Sequence, residues 1–128
     1  MALDFKVVQK GQPGVAGGGE KKYYAQIVNG KEVTVDDMAK SIEKFSSLSE
    51  ADILGVIRAL ENIIQEELSE GKIIRLDKLG NLYPKISSNG EESAKKVTSK
   101  SIKNIGVNYR PGKRIISSMK EAGFNKVD

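Results

Sequence analysis

Leu3, Phe5 and Val7 alternate with Asp4 and Lys6, a period of two that predicts a strand over Leu3 to Val8. The run Gly11-Gln12-Pro13-Gly14-Val15-Ala16-Gly17-Gly18-Gly19 then offers no side chains for a core and predicts a flexible loop. It lacks the Gly-Lys-Ser/Thr ending and the following helix that a phosphate-cradling loop needs. Lys22 to Val28, rich in Tyr and β-branched residues, predicts a second strand, and Asn29-Gly30 signals a tight turn. From there the period lengthens. Val35, Met38, Ala39, Ile42 and Phe45 recur at three-to-four spacing and predict a helix capped by Thr34 or Asp36. Ser46 to Ser49 break it. Ser49 caps a longer helix whose first turn carries Glu50 and Asp52, where the helix dipole favours acids. Its stripe of Ile53, Val56, Ile57, Leu60, Ile63, Ile64 and Leu68 is the strongest pattern in the chain, and Gly71 supplies a left-handed end.

Lys72 restores the period of two. Ile74, Leu76 and Lys78 alternate with Arg75 and Asp77, and Leu79-Gly80-Asn81-Leu82-Tyr83 continues as strand, with Gly80 marking a bulge or close backbone approach. Asn89-Gly90 predicts another turn. Ser93 to Lys103 is polar and basic and predicts a short helix anchored only by Ala94, Val97 and Ile102. Ile105, Val107 and Tyr109 alternate with Gly106, Asn108 and Arg110 in a last strand. Pro111 opens a terminal helix bearing Ile115, Ile116 and Met119, which Gly123 ends. The predicted fold is α+β: a helical hairpin, an antiparallel sheet and a C-terminal helix. Residues 1–33 form an N-terminal β extension with a Gly-rich loop, and residues 34–128 form the main domain.

Composition narrows the function. A chain of 128 residues is one domain with a decorated terminus. Aromatics make up only 5% and Trp is absent, so the core is lean and aliphatic, as in chains completed by a second subunit. There is no Cys and no His, which excludes disulfides and thiolate metal sites and removes the commonest general base. Asp36-Asp37 and Glu66-Glu67 are adjacent helical residues that diverge by about 100°, so neither pair makes a shared acid/base or metal site. No enzyme, cofactor, metal or small-molecule substrate is expected. Met1 to Lys6 lack the basic start and apolar run of a signal peptide, and no stretch approaches the roughly 18 apolar residues of a membrane span, so a cytoplasmic location without membrane contact is expected. Charge is unevenly distributed. Residues 1–84 carry 11 Lys/Arg against 13 Asp/Glu, whereas residues 85–128 carry 10 against 4, which points to a polyanion-binding face.

Several segments in order resemble one family. Glu70-Gly71-Lys72-Ile73-Ile74-Arg75-Leu76 follows the helical hairpin, then comes Leu79-Gly80-Asn81-Leu82, and finally Val107-Asn108-Tyr109-Arg110-Pro111-Gly112-Lys113. Over about residues 34 to 123 this order resembles the HU / integration host factor family of bacterial histone-like proteins. The N-terminal double strand with its Gly-rich insertion looks like a variant branch. The resemblance implies an intertwined homodimer whose hairpins form a shared base and whose sheets form a saddle over DNA. It also implies nucleoid-associated architectural binding through the minor groove, with little base reading. The wide stripe of the second helix independently calls for a partner surface. One departure stands out: the Arg-Asn-Pro-x-Thr-Gly arm tip of standard members is absent from Pro84 to Asn104. Phosphate-dominated binding to duplex DNA is therefore expected rather than kinking by an inserted side chain.

Candidate contacts follow. Arg110, Lys113 and Arg114 flank the start of the terminal helix, where free N–H groups of Gly112 and Lys113 attract phosphate; a solvated helix start is the alternative. Lys96, Lys100 and Lys103 share one helical face, with Lys95 nearby, either as an electrostatic flank or as plain surface. Arg75 and Lys78 lie on the saddle strand, with a facing that alternation alone leaves open, and Lys85 is similarly placed. Tyr109 shares a face with Ile105 and Val107 and reads as a core aromatic. The expected function is non-enzymatic DNA binding of low sequence specificity. The alternative is a dimeric structural or protein-interaction module that kept the fold and works through its N-terminal strands.

Overall fold

The structure, a computed structural model, describes residues 1–12 and 14–128. Pro13 of the Gly-rich loop lies outside the described residues. In chain order the elements are β1 (Leu3–Lys10), β2 (Lys22–Ile27), α1 (Val35–Glu43), α2 (Glu50–Ser69), β3 (Ile74–Arg75), β4 (Gly80–Ser88), β5 (Ile102–Pro111), α3 (Lys113–Ala122) and β6 (Phe124–Lys126). This is the α+β fold expected from the sequence. The chain divides into two compact units, Val33–Ile115 and Met1–Glu32 with Ile116–Asp128. Among the described residues no helix is long and apolar enough to cross a membrane.

In the Val33–Ile115 unit, α1 is capped by Thr34 rather than Asp36. Thr34 Oγ1 accepts from the Asp37 amide at 3.2 Å, and Asp37 Oδ2 accepts from the Thr34 amide at 3.0 Å, a reciprocal cap. The hydrogen bonds from Thr34 hold the Asp37 carboxyl below its usual range, because they favour the ionised form. Ser49 caps α2 by accepting from the Asp52 amide at 3.2 Å, and Gly71 ends it at φ 78°. The helices pack as a hairpin, yet Ala39 and Ile53 are the only buried apolar residues among those described. Val56 is 62% exposed and Ile63 55% exposed. One chain leaves Val56, Leu60 and Ile63 of its best apolar stripe exposed.

The sheet of this unit has the order β3-β4-β5 and is antiparallel throughout. The single strand expected from Ile74 through Tyr83 is folded back on itself. Asp77 adopts φ 55°, a 3-10 turn spans Asp77–Leu79, and the Leu76 amide donates to the Gly80 carbonyl at 2.8 Å. Asp is among the few L residues that tolerate this conformation, and a two-residue alternation does not reveal it. Lys78 therefore lies on the turn and not on a strand, correcting the expectation. Gly80 and Gly112 let backbone meet backbone here. A Cβ on Gly80 would overlap the Arg110 carbonyl, and one on Gly112 would overlap the Lys78 carbonyl.

The helix expected over Ser93 to Lys103 does not form. Strands β4 and β5 run as a ribbon out to the pair Ser88 and Ile102, past an irregularity at Ser87. Two single 3-10 turns, Ala94–Lys96 and Ser99–Ser101, close the tip. Ser101 is buried there, and its carbonyl accepts from the Asn89 amide at 2.7 Å. Its hydroxyl donates to Glu91 Oε1 at 3.2 Å and accepts from the Thr98 amide at 3.2 Å. Ser and Thr side chains capture local backbone groups and so compete with helix formation, and three scattered anchors cannot outweigh them.

The other unit is built on a sheet of order β2-β1-β6. β1 and β2 pair antiparallel without a break from Phe5 opposite Ile27 to Lys10 opposite Lys22. β6, which the sequence did not foretell, pairs parallel to β1 with Leu3 opposite Phe124. The Leu3 amide donates to the Gly123 carbonyl and the Val127 amide to the Phe5 carbonyl, each at 2.9 Å.

Candidate nucleic-acid interface

Directly opposed residues of an antiparallel pair share a face, and alternate residues along a strand return to it. Arg75 opposes Asn81, which opposes Arg110; Tyr83 opposes Asn108, Lys85 opposes Gly106, and Ser87 opposes Asn104. One face of the β3-β4-β5 sheet is thus polar, with the cations Arg75, Lys85 and Arg110 and no carboxylate among its strand residues. Ile74, Leu82, Pro84, Ile86, Ile105, Val107 and Tyr109 occupy the opposite face. Pairing settles what alternation left open: Arg75 joins Arg110 on the polar side.

The polar face is locally ordered. Arg110 Cζ sits 4.8 Å from the centre of the Tyr83 ring, a cation-π contact that holds the guanidinium over the strand. Lys85 lies along the space that Gly106 leaves open, since a Cβ there would come 3.0 Å from Lys85 Cε. The ion pairs among the described residues use Arg58, Lys72 and Lys96, so Arg75, Lys85 and Arg110 keep their charge unneutralised. Such a face presents fixed positive charge and amide donors to a polyanion. Tyr109 belongs to the apolar face, where its hydroxyl donates to the Leu79 carbonyl at 2.6 Å, and it remains 51% exposed.

The remaining sequence-derived candidates separate. Lys113 and Arg114 are exposed in the first turn of α3, which carries no acid. Gly112 does not offer a free N–H as expected, because its amide donates to the Leu79 carbonyl at 3.3 Å across the glycine contact. That contact also sets the turn bearing Lys78 against the start of α3. Lys96 lies in the first tip turn with its ammonium 3.0 Å from Glu92, Lys100 lies in the second, and Lys103 lies on β5. These lysines share no helical face, since the helix that would align them is absent. Asn81, Tyr83, Asn104 and Asn108 belong to the polar face and were missed. Their signal in the sequence is the alternation of Arg110 with Asn108, Gly106 and Asn104. Among the described residues no cluster of three or more His, Cys, Asp or Glu is placed to hold a metal.

One solved structure of similar fold comes from Bacteroides vulgatus and is provisionally described as a bacterial DNA-binding protein. Its sequence is 12% identical, the TM-score is 0.68, and the alignment covers 98% of this chain and 48% of that one. This chain therefore spans about half the length of that protein, and at such identity the likeness is one of fold. No curated protein matches. A family model described as an HU domain fused to a winged helix-turn-helix, Ig or glycine-rich motif matches residues 1–126. A match of that extent, on a hairpin, ribbon sheet and terminal helix in the order expected of a histone-like chain, places this protein in the HU-HIG family.

Proposed function

We propose that the protein is a non-enzymatic, nucleoid-associated DNA-binding protein that holds duplex DNA through phosphate contacts with little sequence preference. The observation that carries this is the acid-free polar face of the β3-β4-β5 sheet, with Arg75, Lys85 and Arg110 beside Asn81, Tyr83 and Asn108. Arg and Asn are the side chains that contact phosphate and the degenerate minor-groove edge. Arg114, Lys113 and Lys78 extend the positive field near the start of α3; Lys96, Lys100 and Lys103 are a lesser flank. The ribbon tip carries Glu91 and Glu92 and no Pro, so bending by an inserted wedge is not part of the proposal. The neighbour described as DNA-binding supports the same reading by fold.

The active form is a homodimer. Val56, Leu60 and Ile63 on α2, and Ile86 and Ile105 on the apolar sheet face, are all exposed in one chain. Burying a side chain of this size stabilises by about 1.5–3 kcal/mol, so a second copy is the economical cover. A fluorescence-anisotropy titration of a short duplex at low and near-physiological salt, with mass from light scattering, tests both statements. A dimer whose log affinity falls linearly with log salt supports the proposal. A dimer indifferent to DNA at low salt would show a fold retained without this function.

A further inference from the structure

The N-terminal sheet also has two unlike faces. Leu3, Phe5, Val7, Ala25, Ile27 and Phe124 share one by pairing. The other bears Lys6, Lys10 and Lys22 around Tyr24, with Val8 and Gln26. Lys10 and Lys22 are directly opposite each other in the register. Like charges at opposed positions of an antiparallel pair destabilise it, and an acid beside them would relieve the repulsion. Here none relieves it. The one carboxylate on this face of the strands, Asp4, is at the far end of β1, where its Oδ1 accepts from Asn125 Nδ2 at 3.1 Å. Glu20, two residues before β2, forms no ion pair, in contrast to the acids beside Lys72 and Lys96. Lys6, Lys10 and Lys22 are all exposed.

We infer that this lysine face is a second DNA-contact surface, engaging backbone phosphates separately from the arginine face of the β3-β4-β5 sheet. Alternation sets Lys6 about 13 Å along the strand from the Lys10–Lys22 pair, four residues at roughly 3.3 Å each, so the three positions are spread along the sheet and do not make a single-anion pocket. Point charges spread in this way suit an extended polyanion. Lys ammonium groups need no fixed orientation to do this, which fits positions with no hydrogen-bonding support. The surface adds affinity that is sensitive to salt and blind to sequence, and a polyanion would relieve the Lys10–Lys22 repulsion.

This inference rests on the DNA-binding proposal, and the test separates the two. The full chain and its K6A/K10A/K22A variant are titrated against a duplex of about 40 base pairs over a range of salt. Each is also tested, bound to a bead-held duplex, for capture of a second, labelled duplex. A K31A/K40A/K44A variant removes equal charge elsewhere. The slope of log affinity against log salt is expected to fall by about 0.9 for each phosphate no longer engaged, up to about 3 for the lysine-face variant, with a smaller change in the control. If the lysines reach a different duplex, capture disappears while the slope holds. Unchanged slope and unchanged capture, with the parent binding DNA normally, would overturn the lysine surface alone. A parent that binds no DNA would overturn the functional proposal itself.

Discussion

The two three-stranded sheets are built alike and charged differently. Each has an apolar face and a polar one, yet the β3-β4-β5 sheet presents Arg75 and Arg110 with amides and Tyr83, whereas the cations on the polar face of the β2-β1-β6 sheet are all lysines. Arg110 is oriented by the ring beneath it at 4.8 Å, while Lys10 faces another cation. A guanidinium held in place can make paired, directional contacts, whereas an ammonium on a flexible stem acts as a point charge. Under the proposed function, the first sheet would position the protein on DNA and the second would add electrostatic grip.

The sharpest way to break the comparison is at the glycine contact beneath the first sheet. Gly80→Ala combines a strained φ of 121° with overlap against the Arg110 carbonyl. It is expected to cost about 3 kcal/mol or more in denaturant unfolding and to remove DNA binding with it. Next comes R75E/R110E, which reverses two charges on an exposed face while leaving the fold intact by circular dichroism. Affinity for duplex DNA is expected to drop by about two orders of magnitude at moderate salt, more than for K6A/K10A/K22A. Equal losses from the two variants would abolish the distinction between the sheets.

Smaller effects probe the hairpin that carries the first sheet. Ser49→Ala removes the cap of α2 and is expected to lower stability by about 1 kcal/mol without changing DNA affinity measured on the folded fraction. The smallest concerns acid. The Asp37 carboxyl is held below its ordinary value of 3.8, so its stabilising effect is present above that value and is lost as pH falls through the depressed one. Asp37→Asn should melt lower than the parent at pH 7, and the difference should shrink towards pH 2.5.

Where local physics decides, the chain was legible. Ser49 and Gly71 bound α2 as their capping chemistry requires, and Gly123 ends α3 in a left-handed conformation, φ 75°. Arg110 and Lys85, candidates from the sequence, share the polar face of the β3-β4-β5 sheet. Their uncharged neighbours Asn81 and Asn108 were not candidates, because a polar residue acquires meaning only from the face it shares. Lys96, Lys100 and Lys103 were aligned on a helix that hydrogen bonds around Ser101 replace with a ribbon tip.

Periodicity and capping are properties of neighbours along the chain, so the sequence by itself determined the helical hairpin, the strand-rich ends and the basic C-terminal third. Tertiary structure alone decided three things. Asp77 turns the chain so that Arg75 meets Asn81, Gly112 commits its amide to Leu79, and Phe124–Lys126 pairs with a strand at the other end of the chain. Each depends on backbone groups meeting across a loop or across the whole chain, and such meetings leave no period in the sequence.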